Sequence, residues 1–250
     1  MADSGAPREE VLAHLDQWRR ELDAIYSGRA NHPYARRLEH AVHRYGLTRD
    51  QFDILLGALE RDVDRTHVDT YDELRDYCES VASSLAQLCL QILGVAGEPT
   101  AASYARDVGV ALQLANILRD VDADATAGRI YLPRDELADA GVAELDIMKG
   151  NASPGLASVC RRQAARARTL IARARRQLSP RLFGALLVPE IWADVYLALL
   201  EELEAVDFDV FGDPPYLRRR RKLGIALRRW AMSGRGGPGS RLRASGFRHG

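Results

Sequence analysis

Apolar residues recur at three- and four-residue intervals along nearly the whole chain, and strand-like alternation is scarce. That pattern predicts helices almost throughout residues 8–230. Residues 9–26 place Val11, Leu12, Leu15, Trp18, Leu22 and Ile25 on one face, and Ser27-Gly28 ends the run. A second helix is expected over 33–45, stopped by Gly46. Thr48 can cap a third, 49–64; Thr70 a fourth, 71–93, stopped by Gly94; and Thr100 a fifth, 101–121. Residues 125–146, with Gly128, Pro133 and Gly141, read as mostly loop. Further helices are expected over 153–178, 180–188, 190–205 and 217–232. The Gly-, Ser- and Arg-rich stretch 233–250 reads as a disordered basic tail behind a single domain, 1–232.

With 250 residues, 46% of them hydrophobic, the chain is long enough for one sizeable helical core. Net charge is zero, so overall charge points to no nucleic-acid partner. The charge is unevenly spread, because from Pro214 onward there are eleven Lys or Arg and no acid. Cys78, Cys89 and Cys160 lack metal or disulfide spacing, and Cys78 and Cys89 sit in apolar helical patterns as buried free thiols. The N-terminus has no secretory core, and the longest apolar region, 182–200, is interrupted by Pro189, Glu190 and Asp194. The expected location is cytoplasmic, with peripheral contact to the inner face of a membrane left open.

One run changes the picture. Gln113, Asn116, Asp120 and Asp124 lie three or four residues apart and share one helical face, with Asp122 off it. Two carboxylates and an amide oxygen on one face suit Mg²⁺, which shares its coordination between protein oxygens, water and phosphate. The same DxxxD spacing occurs at Asp72/Asp76 and Asp135/Asp139, which read as solvated faces. The 116–124 run differs because its helix is otherwise apolar, and buried carboxylates are costly unless paired or bound to metal.

The run is followed by Gly128-Arg-Ile-Tyr-Leu-Pro133. NxxxDxxxD followed by GRIYLP resembles the second aspartate-rich motif of the squalene/phytoene synthase family, over roughly residues 12–230. The resemblance implies an all-α, isoprenoid-synthase-like helical bundle, N-terminally shortened. It implies Mg²⁺-dependent head-to-head coupling of farnesyl or geranylgeranyl diphosphate. It places Asn116, Asp120 and Asp124 on the metal, Arg119 in catalysis, and Gln113, Arg129 and Tyr131 on the substrate. Tyr77-Cys78-Glu-Ser-Val81-Ala82 is similar to a family helix whose tyrosine lines the cavity and assists diphosphate departure or proton handling, so Tyr77 is a catalytic candidate. A core tyrosine at helical spacing fits the same residues. Tyr196 matches a cavity tyrosine that binds substrate. Asp62 lies in a stretch that also reads similarly, and a solvated face is its expected role. The basic run 218–222 would steer diphosphates, face anionic lipid or sit in water.

The chain also departs from the family pattern. A first aspartate-rich motif is expected before Leu12 and is not there. Asp122 and Ala123 replace a glycine and a glutamate, and Ser83 and Ala86 replace glycines, which would narrow the cavity. An arginine expected before the last helix falls near Asp213-Pro214. Three explanations stay open: a start site placed too late, a partner chain supplying the first motif, or a homologue that binds prenyl diphosphates without coupling them.

Overall fold

The computed structural model describes residues 7–212 and 216–233. Through them run α1 (Arg8–Tyr26), α2 (Pro33–Tyr45), α3 (Arg49–Val63), α4 (Tyr71–Ile92), α5 (Pro99–Arg119), α6 (Val121–Thr126), α7 (Arg134–Asp139), α8 (Glu144–Met148), α9 (Pro154–Gln177), α10 (Leu187–Ala205) and α11 (Arg219–Ser233). No strand occurs among the described residues, only one isolated bridge between His67 and Ile130. The expected tail lies, apart from Ser233, outside the described residues, as do Asp213 and Pro214.

Most helix ends follow local chemistry. Gly46 and Gly94 adopt left-handed backbone at φ 62° and 71° and stop α2 and α4. The Thr70 hydroxyl accepts from the Glu73 amide, while the Glu73 carboxylate accepts from the Asp69 amide, tying down the start of α4. Three expectations fail. Thr48 makes no side-chain cap bond. α5 begins at Pro99, so Thr100 is inside it: proline at the first helical position carries a suitable φ and lacks an N–H that would be orphaned anyway. The region 125–146 is not mostly loop, because α7 and α8 occupy much of it and α6 reaches into it. Residues 180–188 form a 3₁₀ turn (Pro180–Leu182) and then enter α10, whose first turn accommodates Pro189.

α5 is the central rod, packed between α4, α9 and α10. That explains why it is apolar nearly all round; Tyr104, Val108, Val110, Ala111, Leu114, Ala115 and Leu118 are all buried. Gly109 lets α4 approach, since a Cβ there would lie 2.8 Å from the Cβ of Ala82. Buried side chains fall into two groups. One joins α1–α3 to Leu88 of α4; the other fills the space among α4–α10. A charged cluster fastens α11 to this frame, with Arg175 and Arg229 forking onto Glu190 and Asp194, and Tyr104 donating to Glu190 at 2.6 Å.

Cys78 and Cys160 are buried, but Cys89 is exposed, correcting the expectation of a buried thiol. It lies in the stretch of α4 that also leaves Leu85 and Ile92 exposed. Asp72, Asp76, Asp135 and Asp139 are all exposed, as expected. No helix among the described residues is long and apolar enough to cross a membrane.

Candidate functional site

A cavity of about 540 Å³ opens at the seam between the two buried groups. Its greasy wall comes from α1, α2 and α3, including Leu15, Trp18, Leu22, Leu38, Phe52 and Leu59. Its polar end comes from α5, α6 and their neighbours: Gln113, Asn116, Arg119, Asp120, Asp124, Tyr77, Tyr131 and Asp62. An apolar pocket with a few convergent polar groups at one end suits an amphipathic ligand with an anionic head.

The aspartate run keeps its shared face although the helix breaks. Asp120 leaves helical geometry at φ −101°, ψ 11°, between α5 and α6. The backbone bonds Asp120 N to Asn116 O (2.9 Å) and Asp124 N to Asp120 O (2.8 Å) carry the four-residue register across the bend. All three predicted metal ligands line the cavity. Asp122 does not; its carboxylate accepts from the Gly212 amide at 3.3 Å. Ser83 and Ala86 are not among the residues that line it; Tyr77 and Val81 are the residues of that stretch that reach the cavity.

Each predicted ligand is held by another side chain. Tyr196 donates to Asn116 Oδ1 at 2.9 Å, and Asn116 Nδ2 donates to Gln113 at 3.0 Å. Arg119 forks onto Asp120 at 2.6 and 2.5 Å. Arg129 donates to Asp124 at 3.1 Å. Thus Tyr196 and Arg129 act from behind the ligands and do not line the cavity. The Arg119 guanidinium pKa is raised, first by its hydrogen bond to Asp120. Gly128 supplies the turn at φ 75°, after which the Arg129 amide donates to Asp124 O at 2.8 Å.

Among the described residues no group of three or more His, Cys, Asp or Glu assembles as a metal cluster. The donor set is two carboxylates and one amide, all oxygen and all facing the cavity. That set fits a hard cation that takes its remaining ligands from water and diphosphate, and it does not fit a closed metal cage.

Asp62 is the residue misread from sequence. It is not on a solvated face; it lines the cavity from the last turn of α3. Tyr131 donates to its Oδ1 at 3.0 Å, and Tyr77 lines the cavity beside it. The rings of Tyr77 and Tyr131 stack at 5.1 Å and 10°. Burial raises the Asp62 pKa above the usual carboxylate range, against the lowering effect of the two phenols and of Arg129 and Arg65. Burial also pushes both tyrosine hydroxyls upward. The loop that brings Tyr131 here is zipped to the segment before α4: Ile130 N bonds to Thr66 O, Arg134 N to Val68 O and Asp135 N to Asp69 O. No local pattern at either segment announces that pairing.

The sequence profile described as "Squalene/phytoene synthase" matches residues 1–223. A maize (Zea mays) protein named phytoene synthase 1, chloroplastic, is 34% identical over 216 residues, 84% of this chain and 52% of that one. A presqualene diphosphate synthase from Rhodopseudomonas palustris is 34% identical over 229 residues, 91% of this chain and 81% of that one. The chain spans about half the length of the plant relatives it matches. The crystal structure of squalene synthase HpnC from Alicyclobacillus acidocaldarius aligns at TM-score 0.70 and 30% identity, covering 80% of this chain and 76% of that one. A dehydrosqualene synthase solved in complex with ligand shares the fold at TM-score 0.77 and 24% identity, covering 92% and 82%.

Proposed function

This chain belongs to the squalene/phytoene synthase family, and from that premise we propose that its cavity joins two prenyl diphosphates head to head with the help of Mg²⁺. The observation that carries the reading is the cavity's polarity: an apolar wall from α1–α3 ending on Gln113, Asn116, Arg119, Asp120 and Asp124. A farnesyl or geranylgeranyl tail would bury itself against Leu15, Leu22, Leu38 and Phe52, which stabilises binding by about 25 cal/mol per Å² of apolar surface removed from water. Its diphosphate would lie at the α5–α6 bend. Residues 1–232 would act as one domain in this.

Asn116, Asp120 and Asp124 are the residues that would hold Mg²⁺, and bound there it would supply positive charge for the departing diphosphate. Arg119 presents a planar fork that matches phosphate oxygens as well as the carboxylate it now grips. Gln113 and Tyr196 hold the Asn116 amide by its nitrogen and its oxygen, fixing which way that group points. Arg129 steadies Asp124, and Tyr131 acts from the polar wall. The greasy wall keeps water from an allylic cation, so that the second prenyl double bond captures it.

Among the described residues, the carboxylates lining the cavity are the pair Asp120 and Asp124 at the α5–α6 bend and a single one, Asp62, at the end of α3, so no second carboxylate pair faces the first. That observation favours, as second reading, a homologue that binds prenyl diphosphate and couples it only with a partner chain. The test is diphosphate release from farnesyl diphosphate with Mg²⁺. Release is expected, lost on chelation and lowered about 10²–10³-fold by Asp120→Asn. Binding without release, with Asp120→Asn equal to wild type, overturns the coupling reading in favour of the second.

Outward on α11, Leu223, Leu227 and Trp230 form an exposed stripe flanked by Arg219, Arg220 and Arg228. This arrangement supports peripheral contact with an anionic membrane surface.

A further inference from the structure

Two basic side chains line the cavity among the described residues: Arg119 at the polar end and His14 on the greasy wall. Arg119 is held in its fork with Asp120. His14 comes from α1, where its companions on the cavity face, Val11, Leu15 and Leu22, are apolar. An imidazole in that stripe carries a desolvation cost that a leucine would avoid, so packing alone does not account for it. Trp18, one turn further on, adds an indole N–H, which can only donate. Two ion pairs set where this turn lies. Arg8 forks onto Asp64, and Arg19 reaches Glu60 at 2.5 Å. They bracket His14 along α1 and lay it against the C-terminal part of α3, where Asp62 lines the same cavity. The ring itself is tied by a bond from its Nδ1 to Glu10 O at 2.8 Å. A carbonyl oxygen only accepts, so Nδ1 carries the hydrogen and Nε2, at the outer end of the ring, is the nitrogen left for a ligand. The other charged groups lining the cavity are Asp62 on α3 and Arg119, Asp120 and Asp124 at the α5–α6 bend; α2 contributes only Leu38.

We propose that His14, with Trp18 beside it, anchors the diphosphate that stays on its prenyl chain while the other departs at the α5–α6 bend. This rests on the coupling reading above. Head-to-head coupling brings two diphosphates into one cavity, and only one leaves as the first carbon–carbon bond forms. Each carries more than one negative charge, and two such groups crowded onto one metal site repel each other strongly in a cavity of low dielectric. The metal-holding face belongs to α5 and α6, and the one basic group that the facing wall offers is His14. On binding, a proton taken from water goes to Nε2. The imidazolium then donates from Nε2 to a phosphate oxygen while Nδ1 keeps Glu10 O. Held on α1 in this way, the chain that keeps its diphosphate stays in place to capture the allylic cation. His14 and Trp18 are substrate-binding residues in this account and take no part in the bond changes.

The test measures binding of farnesyl S-thiodiphosphate, an unreactive analogue, with Mg²⁺, beside product formation from farnesyl diphosphate. Wild type should bind two equivalents per chain. His14→Leu should bind the first within about twofold of wild type and the second about 10–100-fold more weakly, the loss expected for one charge-assisted hydrogen bond. Trp18→Phe should weaken the second equivalent about 2–10-fold, the loss expected for a neutral one. A histidine with a merely structural role would not move the third readout. In wild type labelled with ¹⁵N-histidine, the His14 Nε2 signal should pass from its unprotonated to its protonated position on the second equivalent and not on the first. That signal decides the matter even where a variant fails to fold. A second equivalent bound equally by His14→Leu and wild type, or an Nε2 signal that the second equivalent leaves unmoved, overturns the anchor while coupling stands. A wild-type chain that takes only one equivalent also overturns the anchor; if it makes no coupled product from farnesyl diphosphate either, the coupling reading goes with it.

Discussion

Asp62 illustrates how a single side chain can work against the fold that carries it. Its folded pKa is raised, with burial as the first cause. The folded state therefore holds that proton more tightly than the unfolded chain does. The stability this contributes is full below the ordinary carboxylate range and is lost as pH rises through the raised folded value. Ionised Asp62 thus costs stability at neutral pH. Asp62→Asn, which cannot ionise, should melt higher than wild type near about pH 7, and the gap should close near about pH 3. Thermal denaturation at the two pH values checks this; a variant that melts lower at neutral pH would make Asp62 a stabilising group instead. The Asp120–Arg119 fork has a different character. Both partners are more than a third exposed, so it adds little to stability and stays available to exchange partners.

At the scale of elements, the site depends on how closely α4 and α5 approach. α4 carries Tyr77 and α5 carries Gln113 and Asn116, and they touch at Ala82 and Gly109. A methyl group at Gly109 would meet the Ala82 methyl at 2.8 Å, and both belong to packed helices that cannot yield cheaply. Gly109→Ala should cost about 1–3 kcal/mol and lower the melting temperature by about 2–4 °C for each of them. Ala82→Gly in the same chain should restore much of the loss by removing the opposing methyl. Equal melting of Gly109→Ala and wild type would mean that the helices separate freely. The α5–α6 bend shows the opposite principle. There the helix changes direction, yet two backbone bonds keep Asn116, Asp120 and Asp124 in register, so a spacing argument survives a break it did not foresee.

Across the whole molecule, α1–α3 supply the apolar wall, α4–α6 the polar end, and α9–α11 the buttress behind α5. α11 is docked through Arg229 and Ile225 and leaves Leu223, Leu227 and Trp230 outside. Sedimentation with vesicles tests its proposed membrane face: binding to phosphatidylglycerol vesicles should exceed binding to phosphatidylcholine, and Leu227→Asp with Trp230→Asp should abolish it. Equal sedimentation of the double variant and wild type would sink that role. What the sequence by itself determined is whatever has a short period or a local conformational need. The helices, the glycine stops at Gly46 and Gly94, and the shared face of Asn116, Asp120 and Asp124 belong to that class, because neighbours along the chain set them. The tertiary structure alone decided that Asp62 lines the cavity, that Tyr131 stacks on Tyr77 and bonds to Asp62, and that Tyr196 holds Asn116. Those contacts depend on the pairing of residues 66–69 with 130–135 and on the packing of α10 against α5. Such meetings join segments far apart in the chain, and the free energy that selects them is burial summed over the whole core, which no local stretch of sequence contains.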